Sequence, residues 1–208
     1  MKIVACDDAG LDETAAVLLA GGVAVIPTDT VYGLAAHPAH LEAVGRLYTI
    51  KGREAKKPIA MLASDVDAIG RSGYPVDGMA RELAKLWPGG LTLVLSSSAA
   101  GPGSPVFGAS EGFRVPDHGW TRRLIAKCGG LLRVTSANLS GRRPAADAPA
   151  ALADVGLSAD IVADGGVSPG GVPSTVLRVR GEDVEVLRAG ATWPELSAMV
   201  NRHGKRGL

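Results

Sequence analysis

Short apolar runs alternate with segments of helical periodicity along this chain, and that alternation points to an α/β architecture. Residues 3–5, 23–26, 59–63, 91–95, 112–115, 131–134, 175–179 and 184–187 read as strands. Residues 11–20, 41–50, 79–86, 121–128 and 193–203 read as helices; in the second of these, Leu41, Val44, Leu47 and Tyr48 recur on one face. Gly21-Gly22, Pro58 and Trp87-Pro88-Gly89-Gly90 separate the elements. Segments 96–110, 142–149 and 164–173 are rich in Gly, Pro, Ala or other small residues and read as loops, the last two as mobile connections.

The run 23–26 leads into Pro27-Thr28-Asp29-Thr30-Val31-Tyr32-Gly33-Leu34. Thr28, Asp29, Thr30 and Tyr32 put three hydroxyls and a carboxylate at the carboxyl end of a strand, where open α/β sheets bind ligands. Gly33 is expected to let the backbone turn. The same octet would also serve as a plain strand-to-helix turn, with Thr28 or Asp29 capping the next element.

At 208 residues, folding removes roughly 70% of the unfolded surface from water, enough for a sizeable core. No internal repeat or boundary interrupts the alternation, so residues 1–208 read as one domain. With 22 Lys and Arg against 21 Asp and Glu, net charge announces neither nucleic acid nor membrane, although it permits a local basic patch. Two cysteines, Cys6 and Cys128, are too few and too separated for a disulfide framework, which suggests a reducing compartment, the cytoplasm. No secretory h-region opens the chain and no window reaches the ~18 apolar residues of a membrane span.

Cations cluster at element ends. Lys51, Arg53, Lys56 and Lys57 follow the second helix, Arg114 lies on a strand, and Arg188 ends another. Arginine offers a planar donor fork and lysine a point charge, so phosphate or carboxylate is the natural partner; the run would equally make a solvated basic loop. Ser136 and Asn138, two apart after the strand 131–134, place a hydroxyl and an amide side by side if extended, or else form a turn. The chain has no P-loop, no dinucleotide fingerprint and no nucleophile elbow. His37 and His40, separated by Pro38, make a poor zinc pair. Trp87 and Trp193, each before a proline, read as packing anchors.

Together these motifs resemble the YrdC/Sua5-like threonylcarbamoyl-AMP synthase family. The matching stretches run from the Pro27 octet through Lys51-Gly52-Arg53, Trp87-Pro88-Gly89-Gly90-Leu91-Thr92 and Arg114-Val115-Pro116. They continue with Ser136-Ala137-Asn138-Leu139-Ser140-Gly141, Pro173-Ser174-Thr175-Val176 and Leu187-Arg188-Ala189-Gly190. The resemblance implies a twisted mixed sheet flanked by helices, YrdC/RibB-like, with a concave basic surface. It implies an enzyme that makes threonylcarbamoyl-adenylate and pyrophosphate from L-threonine, bicarbonate and ATP, with Mg²⁺ on the ATP, for threonylcarbamoyladenosine in tRNA.

By the same resemblance, Lys51, Arg53, Ser136 and Asn138 form a catalytic tetrad around the nucleotide. Thr30, Arg114 and Ser174 hold threonine, and Lys57, Val134 and Arg188 complete the ATP contacts. A downstream threonylcarbamoyl-transferase complex would take the product, and direct contact with tRNA is a further expectation. The chain departs from longer relatives at Leu62, where several have a histidine near threonine, and at Pro144, where some have a nucleotide-contacting serine. It resembles the short, single-domain form, with residues 164–173 as the candidate lid. A YciO-like relative without efficient synthase activity and a nonenzymatic RNA-binding module are the rival readings.

Overall fold

The computed structural model describes residues 1–54, 57–97 and 108–203. Lys56, and residues 98–107 of the expected 96–110 loop, lie outside the described residues. In chain order the strands are β1 (Lys2–Ala5), β2 (Val23–Ile26), β3 (Gly33–Ala36), β4 (Met61–Ala63), β5 (Leu91–Ser96), β6 (Ser110–Arg114), β7 (Leu131–Ser136), β8 (Ile161–Asp164), β9 (Thr175–Arg180) and β10 (Asp183–Arg188). The helices are α1 (Asp8–Leu19), α2 (Leu41–Lys51), α3 (Val66–Arg71), α4 (Gly78–Ala84), α5 (Gly119–Lys127), α6 (Ala148–Asp154) and α7 (Trp193–His203).

All ten strands join one mixed sheet in the order β1-β8-β2-β3-β7-β4-β6-β5-β9-β10. β1, β8 and β2 run parallel, as do the pairs β4 with β6 and β5 with β9; the remaining neighbours are antiparallel.

Side-chain alternation explains how helices distribute over this sheet. On β2, Val23 and Val25 pack with Ala43 and Leu47 of α2 and Ala148 and Ala151 of α6. Ala24 and Ile26 pack on the opposite face with Leu11, Ala15 and Leu18 of α1 and Leu124 and Ile125 of α5. Buried on both faces, β2 is continuously apolar. Farther along the sheet, Leu91, Leu93, Phe113 and Leu177 face a core made with Leu83 of α4 and Leu196 of α7, and Trp87 is anchored in it. The intervening residues of β5, β6 and β9 face the other way, where no described helix covers them, and these line a cleft.

The structure revises several expectations. The Pro27 octet does not lead into a helix; it turns a hairpin, because β3 pairs antiparallel with β2, Ile26 opposite Gly33. Gly33 is absent from the positive-φ glycines and lies in a strand, so its small size serves another purpose. A Cβ there would sit 2.5 Å from Cγ1 of Val134 on β7, so glycine permits a close strand approach. α1 starts three residues earlier than expected, because the Asp7 side chain accepts a hydrogen bond from Gly10 N and caps it. β7 runs on to Ser136, and β3, β8, α3 and α6 were not anticipated.

Candidate active site

The cleft has a volume of about 500 Å³ and is floored by the uncovered residues of β4, β5, β6, β7 and β9. Its most buried corner is built around Arg114, the last residue of β6. Nη2 pairs with Asp29 of the hairpin turn, Nη1 donates to Thr30 Oγ1 at 2.7 Å, and Nε donates to Gly89 O at 2.9 Å. Gly89 belongs to the Trp87-Pro88-Gly89-Gly90 turn, itself held by Gly89 N donating to Val115 O. Two segments singled out in the sequence thus converge on one guanidinium. Burial pulls the Arg114 pKa below its usual value, and the negative charge of Asp29 opposes that shift.

A second polar group closes the corner. Ser174 Oγ lies 2.8 Å from Thr92 Oγ1, and Arg188 donates from Nε to Ser174 O at 2.9 Å and from Nη2 to Ser174 Oγ at 3.1 Å. Arg188 reaches this place through a break in strand register: Val186 pairs with Leu177, yet Arg188 pairs with Val176, leaving Leu187 as the extra residue. Such a bulge re-aims the side chains that follow it.

Arg53, Lys57, Val134 and Ser136 line the remaining wall. Arg53 donates from Nε and Nη2 to the carbonyls of Lys57 and Pro58, both at 3.0 Å, and so braces the turn that ends α2. Lys57 pairs with Glu54 at 2.9 Å on the exposed rim.

Lys51 and Asn138 are placed differently from expectation, because neither lines the cleft. Lys51 is 3% exposed, and its ammonium donates to the backbone carbonyls of Ser136 and Asn138. Asn138 in turn donates to the carbonyls of Leu139 and Arg142. Together they form a clamp behind the wall that fixes Ser136. Burial lowers the Lys51 pKa to about 8, with repulsion from Arg53 in the same direction and Asp154 opposing.

The segment 164–173, expected to be mobile, is laced to the hairpin turn. Gly170 N donates to Asp29 O and Gly171 N to Thr30 O, while Tyr32 Oη accepts from Gly165 N and donates to Gly166 O. A Cβ on Gly170 would stand 2.7 Å from Asp29 O. This segment acts as a brace. Of the two departures, Leu62 is buried in the cleft wall beside Arg114, its register partner, whereas Pro144 lies outside the lining. His37 and His40 address two different carbonyls, those of Cys128 and Leu19.

Sequence reasoning missed Thr92, Arg178 and Glu111, all of which line the cleft. Thr92 and Arg178 were signalled by alternation within their strands, Thr92 between Leu91 and Leu93 and Arg178 between Leu177 and Val179. The charges sort themselves out clearly. Arg114 is paired with Asp29, Arg178 with Glu185 at 2.7 Å and Glu111 with Arg133 at 2.6 Å. The hydrogen bonds of Arg53 and Arg188 go to neutral oxygens, and the two guanidiniums repel, a repulsion that adds to desolvation in lowering Arg188. A cleft with two mutually repelling cations is suited to a ligand with more than one negative charge.

Comparison with known proteins agrees with this architecture. The threonylcarbamoyl-AMP synthase of Bacillus subtilis is 34% identical over 208 residues, which cover 97% of this chain and 60% of that protein. The crystal structure of P. abyssi Sua5 complexed with L-threonine superposes with a TM-score of 0.88 at 27% identity, covering 100% of this chain and 63% of that one. E. coli YciO, at 22% identity and a TM-score of 0.77 over 91% of this chain and 94% of its own, shares the fold. The chain therefore spans a little under two thirds of the length of the first two. The profile of the Sua5/YciO/YrdC family, described as "Telomere recombination", matches residues 16–190, and the chain belongs to that family.

Proposed function

We propose that this chain is an L-threonylcarbamoyladenylate synthase, a nucleotidyltransferase that converts L-threonine, bicarbonate and ATP into threonylcarbamoyl-AMP and pyrophosphate for threonylcarbamoyladenosine in tRNA. The observation that carries the reading is the pair Arg53 and Arg188 facing one cleft, with no carboxylate paired to either among the described residues, beside a buried corner of Arg114, Thr30 and Ser174. Support also comes from the B. subtilis relative, named a threonylcarbamoyl-AMP synthase, and from the P. abyssi Sua5 structure, which is complexed with L-threonine.

In this reading Thr30, Arg114 and Ser174 hold threonine. Arg53, Lys57, Val134, Ser136 and Arg188 hold ATP, with Lys51 and Asn138 positioning Ser136 from behind. Threonine and bicarbonate condense to a carbamate with loss of water. A carbamate oxygen then attacks the α-phosphorus, and pyrophosphate departs with the bonding electron pair. The chain's own contribution is to bring several anions together and to stabilise charge on the α-phosphate, which needs no protein nucleophile. Mg²⁺ would enter on the ATP phosphates and neutralise them there. Among the described residues no group of three His, Cys, Asp or Glu is placed to hold a metal, and the donor set of the cleft is suited to anions.

The product would pass to a threonylcarbamoyl-transferase complex, with tRNA contact as a further element of the reading, in the cytoplasm. No described helix is long and apolar enough to cross a membrane. The test is pyrophosphate release by the purified chain with ATP and Mg²⁺, with threonine and bicarbonate omitted in turn and an Arg53→Ala variant alongside. Release that needs both co-substrates and falls by ~10- to 1000-fold in the variant, about 1.4 to 4 kcal/mol of barrier, supports the reading. ATP binding without co-substrate-dependent release would favour the YciO-like alternative.

A further inference from the structure

Thr92 occupies a position that none of the expected roles uses. It is 5% exposed, lies on the floor of the cleft and sits beside Arg114, because Leu93 pairs with Phe113 on the adjacent strand. Its hydroxyl is 2.8 Å from that of Ser174.

The hydrogen atoms around this pair can be followed. Arg188 can only donate, so Ser174 Oγ accepts from its Nη2, and the carbonyl of Ser174 is occupied by Nε of the same guanidinium. The two hydroxyls carry two hydrogens, and one of these lies in the bond between them. Among the described residues, neither hydroxyl has another acceptor for the second hydrogen.

The hairpin turn on the same cleft differs. Thr30 Oγ1 also accepts from a guanidinium, Arg114 Nη1, but Thr28 Oγ1 spends its own hydrogen on Val31 O at 2.7 Å, so Thr30 gives its hydroxyl hydrogen to Thr28 Oγ1 at 3.1 Å. The Thr92–Ser174 pair is therefore the one of the two that keeps a hydrogen to give. A donor set between Arg114 and Arg188 on one buried corner favours an anionic oxygen acceptor such as a carboxylate.

We propose that Thr92 and Ser174 act as one donor to the carboxylate of the amino-acid substrate, which makes Thr92 a binding and specificity residue. The assignment rests on the synthase reading for the identity of the amino acid. Thr92→Val preserves shape and removes the hydroxyl; Thr92→Ser restores it.

The experiment measures the affinity of the purified chain for L-threonine, for L-threoninamide (which lacks the carboxylate) and for ATP, by calorimetry, with thermal unfolding of each variant. Thr92→Val is expected to weaken threonine binding by ~10-fold, the lower range for a hydrogen bond to a charged group, to weaken threoninamide, whose carbonyl oxygen is a neutral acceptor, by no more than ~3-fold, to leave ATP binding unchanged, and to be rescued to within ~3-fold by Thr92→Ser. Threonine bound by Thr92→Val as by the unaltered chain would overturn the seat alone, as would equal losses for threonine and threoninamide. An unaltered chain that binds ATP but no threonine would overturn the seat and the proposed reaction together.

Discussion

Arg114 and Asp29 form an ion pair with both side chains withdrawn from water, 7% and 14% exposed, and the pair ties the β2–β3 hairpin turn to the end of β6. Removing one partner of such a pair leaves a buried, uncompensated charge, which costs far more than a surface pair is worth. Asp29→Ala is therefore expected to lower the unfolding free energy by about 3 to 5 kcal/mol in a denaturant titration. A loss under ~1 kcal/mol would mean that water reaches Arg114 in the folded chain.

Two glycines should respond oppositely to alanine. A Cβ on Gly190 would lie 2.4 Å from the backbone oxygens of both Pro173 and Ser174, so Gly190→Ala must push apart the segments carrying Arg188 and Ser174. We expect a loss of about 1 to 3 kcal/mol, together with weakened threonine binding. Gly45, inside α2, has no atom within 4 Å of the corresponding point, and Gly45→Ala should stabilise by about 1 kcal/mol. Thermal unfolding of both variants checks the contrast; a stabilised Gly190→Ala would contradict the packing described.

Lys51 gives the chain a pH dependence of known sign. Burial holds its folded pKa at about 8, below the usual 10.5, with Arg53 assisting and Asp154 opposing. Between those values the unfolded chain keeps a proton that the folded chain has released. The penalty for burying the ammonium is therefore full below about pH 8 and relieved as the pH rises toward 10.5. Relative to Lys51→Met, the unaltered chain should gain unfolding free energy across that window. A difference that stays flat with pH would show that Lys51 titrates normally.

The segment 164–173 should be ordered before any ligand arrives, since Gly170 and Gly171 donate to the carbonyls of Asp29 and Thr30. Amide hydrogen exchange of the free protein is expected to show both groups protected well above the level of a mobile loop. Rapid exchange at both that slows only on addition of ATP and threonine would restore the lid interpretation.

The strands and helices with strong local patterns were legible in the sequence, and so were Thr30, Arg53, Lys57, Arg114, Val134, Ser136, Ser174 and Arg188, which all line the cleft. What escaped depended on distant partners. β3 reads Gly-Leu-Ala-Ala, with little strand propensity of its own, and becomes a strand because β2 and β7 flank it. β8 is fixed by parallel pairing with β1 and β2, far away in the chain. Lys51 looked like a ligand cation because residue type and spacing say nothing about direction; the fold turns its ammonium into the loop carbonyls of residues 136 and 138. Thr92 was visible in the alternation of β5, but its meaning required Ser174 and Arg188, which come from another part of the chain.

In the proposed reaction one cleft joins threonine, bicarbonate and ATP. The most direct measurement supplies isotopically labelled bicarbonate with threonine, ATP and Mg²⁺ and identifies the nucleotide product by mass spectrometry. The expected product is threonylcarbamoyl-AMP carrying the label, formed in step with pyrophosphate and lost with Arg53→Ala. An adenylate without the label, or ATP bound with no adenylate formed, would contradict it.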